Sequence, residues 1–119
     1  MKKNKSHTIN LRDPLLLKTQ AFINGQWVNS DNNEFLSVTN PANDKLIANV
    51  AKCGQQETRR MIQAAHNAQP QWEKTTAKER ACLLKNWFNL IMENQEDLAQ
   101  IITAEQGKPL AEARGEITY

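Results

Sequence analysis

The run from Thr76 to Tyr119, TAKERACLLKNWFNLIMENQEDLAQIITAEQGKPLAEARGEITY, carries helix punctuation dense enough to dictate two complete helices and the start of a third. Thr76 and Glu79 stand at the S/T-x-x-E spacing of a capping box, in which the hydroxyl accepts the N–H of Glu79 and the glutamate reaches back to the N–H of Thr76. Beyond it Leu83, Leu84, Trp87, Phe88, Leu90, Ile91 and Met92 recur at three- and four-residue steps, while Lys78, Cys82, Lys85, Asn86, Asn89 and Glu93 fall opposite. One broad apolar face therefore has to be buried. Asn94 suits both the close of this helix, in the left-handed backbone that Asn tolerates, and the cap of the next, whose first turn holds Glu96 and Asp97. Leu98, Ile101, Ile102 and Glu105 continue along one side to Gly107, the favoured residue just past a helix end. Pro109 fits the first position of a third helix, and Leu110, Ala113 and Ile117 open a stripe that meets no stop before Tyr119. The expected reading is a chain cut off inside that helix.

The residues before this block read as strands, then one helix. Residues 1–20 form an expected loosely ordered arm, with Leu15 to Leu17 docking as one short turn. In AFINGQWV, Ala21 to Val28, the Asn24-Gly25 pair between apolar residues signals a hairpin with a type I′ turn. A polar loop, Asn29 to Glu34, leads to the β-branched run Phe35 to Thr39; Asn40-Pro41 breaks it, and Leu46 to Val50 gives a further strand. From Gln55 to Gln69 the period becomes helical, with Gly54 as cap, Glu57 in the first turn, Met61, Ala65 and Ala68 on one face and Ile62 at its edge. Pro70 and Trp72 are expected to end that helix. Strands followed by helices indicate an α+β unit or a piece of a larger α/β domain.

Charge excludes some partners. The 15 basic and 13 acidic residues leave a net charge of +2 and are spread along the chain, so there is no electrostatic footprint for nucleic acid or an anionic membrane. The basic start MKKNKSH is followed by an apolar run, Leu15 to Leu17, too short for a signal sequence or a membrane span, and a cytoplasmic location is expected. Cys53 and Cys82 stand singly, with no CxxC and no His spacing for zinc, which implies two reduced thiols. Cys82 and His66 are the nearest approach to a nucleophile–base pair; a lone cysteine is more often a small hydrophobe and a lone histidine a solvated one. His7 falls in the arm. Gly25, Gly54, Gly107 and Gly115 are isolated, so no loop cradles a phosphate. Glu96/Asp97 and Glu112/Glu116 occupy positions explained by helix dipole and solvation. Phe22, Trp27, Phe35, Trp72, Trp87 and Phe88 fall in apolar patterns that assign them to a core rather than to a stacking platform for bases.

Four blocks in order, FINGQWV, VTNPAN, TAKERACLLKNWFNLIMENQEDLA and EQGKPLAEARGEITY, together resemble the opening of the NAD(P)-dependent aldehyde dehydrogenases. The segments Asn86–Leu90 and Glu105–Ala113 look most like the succinate-semialdehyde dehydrogenase branch, whose relatives acting on glutarate semialdehyde share this opening. The resemblance implies the α/β fold of that family, with residues 21–119 forming the truncated first portion of its cofactor-binding domain: a β-hairpin and short strands followed by about four helices, wrapping a sheet made by later sequence. It also implies a chemistry. A cysteine thiolate attacks the aldehyde, the thiohemiacetal passes hydride to NAD or NADP, and a glutamate activates the water that releases the acid, with an asparagine and a backbone N–H holding the oxyanion. In full-length members those groups and the segment gripping the cofactor follow the part matched here, and neither Cys53 nor Cys82 occupies the nucleophile's motif. The resemblance therefore carries over no catalytic or cofactor-binding residue, and implies a chain that binds no cofactor alone, from enzymes that are homo-oligomers acting on a small aldehyde. In some relatives backbone carbonyls beside the Asn-Pro turn and a helix carboxylate hold a monovalent cation; the matching positions are Val38, Thr39 and Glu116. The alternative is a non-catalytic helical module or subunit partner derived from the same fold.

Overall fold

A computed structural model describes residues 9–119. A short 3₁₀ turn, Pro14–Leu16, precedes strands β1 (Ala21–Ile23), β2 (Gln26–Val28), β3 (Phe35–Thr39) and β4 (Leu46–Ala51). Helices α1 (Gln55–Glu73), α2 (Ala77–Glu93), α3 (Gln95–Gln106) and α4 (Leu110–Thr118) follow.

Both strand pairs are antiparallel, β1 with β2 and β3 with β4. Asn24 and Gly25 turn the first pair at φ 49° and 77°, the two positive values that a type I′ turn requires. This register sets Phe22 opposite Trp27, with ring centroids 5.0 Å apart, and Ile23 opposite Gln26. In the second pair the ladder slips between Val38 and Thr39, and the reversal is held by Asn40. Its carbonyl accepts the N–H groups of Asn43 (3.2 Å) and Asp44 (2.8 Å), while its side-chain Oδ1 accepts that of Ala42 at 2.9 Å. Such a self-bonded asparagine gives the backbone a substitute for the interrupted ladder.

α1 departs from the sequence expectation at its end and on its buried side. It continues through Pro70 to Glu73. Proline costs a helix the hydrogen bond to the residue four earlier, and here that residue is the exposed His66. The stop comes later, where the N–H and hydroxyl of Thr75 both donate to the Trp72 carbonyl, at 3.1 and 2.6 Å. The side turned inward is Glu57, Met61 and Ala64, whereas Ala65 and Ala68 are exposed. The buried glutamate fixes the helix's rotation, which the apolar residues alone do not reveal.

α2 starts at the expected capping box: the Glu79 N–H donates to Thr76 Oγ1 at 3.2 Å and the Thr76 N–H to Glu79 Oε2 at 2.7 Å. Asn94 closes the helix at φ −106°, not in the left-handed region, because its side-chain Nδ2 donates back to the Leu90 carbonyl at 2.8 Å. α3 begins without a side-chain cap hydrogen bond. Gly107 ends α3 at φ +78°, its N–H donating to the Thr103 carbonyl at 2.9 Å. Pro109 serves as the cap of α4 rather than its first residue, since ψ is 137° and its carbonyl accepts the Ala113 N–H at 3.0 Å.

α3 and α4 pack against each other, and each contributes a wholly buried alanine, Ala99 and Ala113. Polar bonds lock the pair: Arg114 grips Glu96 with two bonds of 2.7 and 2.9 Å, and Gln95 Nε2 donates to the Arg114 carbonyl and the Thr118 hydroxyl. No large side chain among the described residues is fully buried. The aromatic residues expected in a core, Phe22, Trp27, Phe35, Trp72, Trp87 and Phe88, are all exposed, as are Leu83, Leu84 and Leu90. Only Ile91 and Met92, at the end where α2 meets α3 and α4, are half-buried. The apolar side of α2 exists, but no element of the described chain lies over it. The radius of gyration, 17.0 Å, exceeds the roughly 13.5 Å of a compact domain of this length. No helix among the described residues is long and apolar enough to cross a membrane.

Candidate functional site

Two clefts among the described residues are built around acidic side chains that tie distant backbone together. In the first, the α1 start meets the loop before β3. Glu57 is buried, with Oε1 accepting the Asp31 N–H at 2.6 Å and Oε2 accepting the Gly54 N–H at 2.9 Å. These backbone donors, that of Asp31 foremost, hold its carboxyl below the usual range. Asp31 in turn binds Arg60 through two bonds of 2.7 Å, which lowers its own pKa. Lys52 pairs with Glu34 at 3.1 Å on the rim. The resulting cleft, about 340 Å³, is lined by Asp31, Glu34, Lys52, Cys53 and Glu57. Each of its three carboxylates is already engaged, Asp31 by Arg60, Glu34 by Lys52 and Glu57 by two backbone N–H groups, at the N-terminal end of α1.

The second cleft lies where α2 passes into α3. Asp97 is buried there, and its two oxygens accept the N–H groups of Arg12 (3.0 Å) and Asp13 (2.9 Å). The Arg12 N–H, then that of Asp13, lowers the Asp97 pKa. Neighbouring Glu96 is lowered chiefly by the Arg114 guanidinium.

The candidate chemical residues do not converge. Cys82 and His66 are both exposed, on α2 and α1, and share no hydrogen bond; Cys53 is half-buried in the acidic cleft. Glu116 is ion-paired with Lys108, so its carboxylate is already matched by a cation, while Val38 and Thr39 flank the slip in β3. Among the described residues no three His, Cys, Asp or Glu side chains gather as a metal group would. Sequence reasoning missed Glu57 and Asp97 as long-range acceptors. Their first-turn positions were visible, but their partners lie 26 and about 85 residues away, and nothing local announces them.

What remains is a surface. Along α2, Leu83, Leu84, Trp87, Phe88 and Leu90 present one apolar side, with Trp87 64% and Leu90 58% exposed. A contiguous apolar face of this kind marks a contact with other protein surface.

Over residues 27–119 the sequence matches the aldehyde dehydrogenase family. It is 56% identical over 109 residues to the succinate-semialdehyde dehydrogenase (NADP+) of Escherichia coli, covering 92% of this chain and 23% of that one. It is 54% identical to the glutarate-semialdehyde dehydrogenase of Pseudomonas putida, again over 92% of this chain and 23% of the relative. The crystal structure of an E. coli NADP-dependent enzyme superimposes with a TM-score of 0.90 at 55% identity, over 92% of this chain and 23% of that one. The part matched in these relatives is their N-terminal 23%.

Proposed function

The chain belongs to the aldehyde dehydrogenase family, and from that premise we propose that it is the opening segment of a cytoplasmic dehydrogenase that oxidises succinate semialdehyde, or the related glutarate semialdehyde, to the acid with NAD or NADP. The observation that carries this reading is the uncovered apolar side of α2, running from Leu83 to Leu90, in a sequence that matches the opening of longer enzymes. A helix patterned for burial yet left bare needs further protein, and the rest of the same domain supplies it most economically.

In this reading the work of the chain is scaffolding. The β1–β2 hairpin packs on α1, the β3–β4 turn meets the end of α3, and the α3–α4 pair is locked by Arg114, so α2 is presented on a fixed frame. The nicotinamide supplies hydride acceptance when bound to the complete enzyme. We assign no catalytic, cofactor-binding or metal residue to this chain.

Two experiments test the proposal. With succinate semialdehyde and NAD or NADP the purified chain should form no reduced nicotinamide; turnover abolished by Cys53→Ser or Cys82→Ser would overturn it. Reading the DNA beyond codon 119 in all three frames should reveal the remainder of a dehydrogenase, whereas unrelated sequence in every frame would favour a separate helical module.

A further inference from the structure

We propose that residues 9–17 form a strap, latched on the Asp97 carboxylate, that walls one side of an open cleft between the β3–β4 turn, α3 and α4. The latch is the pair of bonds from the Arg12 and Asp13 N–H groups, 3.0 and 2.9 Å, to the two oxygens of a side chain only 3% exposed. From that point the strap folds on itself. Asp13 accepts the Leu15 N–H on its side chain at 2.9 Å and the Leu16 N–H on its carbonyl at 3.2 Å, and the Pro14 carbonyl accepts the Leu17 N–H at 3.3 Å. Fixing Asp13 therefore fixes the 3₁₀ turn.

On the other side of the latch, Ile9 and Asn10 form one wall of a cavity of about 300 Å³ whose remaining walls include Asn40, Gln100, Thr103 and Leu110. Thr103 Oγ1 is buried with no hydrogen-bond partner among the described residues. Thr103 and the strap residues Ile9 and Asn10 line the same cleft, so release of the strap opens the side on which Thr103 lies.

The electrostatics give the strap two states. Around Asp97 the charged groups are Arg12 and Asp13 on the strap and Glu93 and Glu96 on the helices, so three carboxylates and one exposed guanidinium face it. The Asp97 charge is compensated mainly by the two strap N–H groups. Without them it would be an unpaired buried carboxylate, which is unfavourable unless water enters. The strap is thus either docked with Asp97 buried, or released with Asp97 and Thr103 hydrated.

The test is residue-resolved amide hydrogen exchange on the 119-residue chain and its Asp97→Ala and Asp97→Asn variants. It is joined by thiol labelling of the Thr103→Cys variant in a Cys53→Ser, Cys82→Ser background, with and without Asp97→Ala. Asp97→Ala should accelerate exchange at Arg12, Asp13, Leu16 and Leu17 together by about tenfold or more, leave the α3–α4 amides protected, and speed labelling at position 103. Asp97→Asn, which keeps one acceptor oxygen, should give a smaller rise at the same four amides. Acceleration confined to Arg12 and Asp13, or unchanged labelling, would overturn the strap. If Asp97→Ala loses helicity, Asp97→Asn decides: a joint rise with α3 intact supports the latch, and no rise overturns it. Loss of α3 protection in Asp97→Asn would also overturn it, by making the carboxylate a part of helix folding.

Discussion

Two glycines of the α3–α4 hairpin should respond to alanine in opposite directions. Gly107 holds φ +78°, and a Cβ built there lies 3.2 Å from Pro41 Cγ. The left-handed backbone costs an alanine about 1–2 kcal/mol. The contact adds to this, because Pro41 cannot retreat freely: the turn around it is fixed by the Asn40–Lys45, Asn40–Asn43, Asn40–Asp44 and Asn40–Ala42 hydrogen bonds. A total of roughly 2 kcal/mol is expected for Gly107→Ala, at the upper end of the backbone figure. Gly115 lies inside α4 with nothing within 4 Å of its Cβ position, so Gly115→Ala should stabilise the helix by about 0.5–1 kcal/mol. Amide exchange of the hairpin reads both. At about 1.4 kcal/mol per factor of ten, the Ala113 amide should exchange roughly thirtyfold faster in Gly107→Ala and about two- to fivefold slower in Gly115→Ala, provided exchange follows local opening. Gly107→Asn, which accepts the left-handed backbone more readily, should recover part of the loss. Effects of the same sign, or a silent Gly107→Ala, would refute the assignment of Gly107 as both helix stop and seat for Pro41.

Thr76→Ala removes the acceptor of the Glu79 N–H and should cost α2 about 1 kcal/mol, seen as reduced helicity with no effect on any ligand; unchanged helicity would mean the helix starts elsewhere. The bare side of α2 should bind a hydrophobic dye, and the chain alone should lack a sharp cooperative thermal transition. Leu83→Lys with Trp87→Lys should cut dye binding while leaving the α3–α4 amides protected, and undiminished binding would place the apolar surface elsewhere. The Glu57 and Asp97 pKa values are lowered on folding by the N–H groups of Asp31 and of Arg12 respectively. Their contribution is therefore complete above the unfolded carboxylate values, about pH 4–4.5, and is lost as pH falls through the lowered folded values. Protection at Asp31 and Arg12 should hold from neutrality down to about pH 4–5 and then decline, once the intrinsic pH dependence of exchange is removed; a decline beginning near neutrality would contradict the cited shifts.

Features whose partners are close in the chain are legible in the amino-acid sequence itself. The capping box needs only Thr76 and Glu79, the hairpin only Asn24 and Gly25, and the α3 stop only Gly107, and all three stand where read. The misreadings arise where a local signal competes with a distant one. Pro70 signals a stop, yet α1 passes it and runs on to Glu73. Asn94 tolerates the left-handed backbone, yet its side chain is better used on the Leu90 carbonyl. The face of α1 is set by Glu57, whose partner Asp31 is 26 residues away. Periodicity also identified which side of α2 is apolar, without identifying what lies over it. Trp87 and Phe88 read as core residues and are bare in this chain, since a period of 3.6 reports a helix's need for burial and not the origin of its cover.

The central claim, that this chain opens a dehydrogenase domain and needs the rest of it, is tested most directly by reconstitution. The E. coli succinate-semialdehyde dehydrogenase, lacking the N-terminal 23% that this chain matches, would be expressed alone and together with the 119-residue chain, and NADP binding measured calorimetrically for each part and for the pair. Neither part alone should bind, and the pair should be more soluble and bind the cofactor, because α2 then has its cover and the two parts close one core. A remainder that gains neither solubility nor binding from the 119-residue chain would contradict the claim.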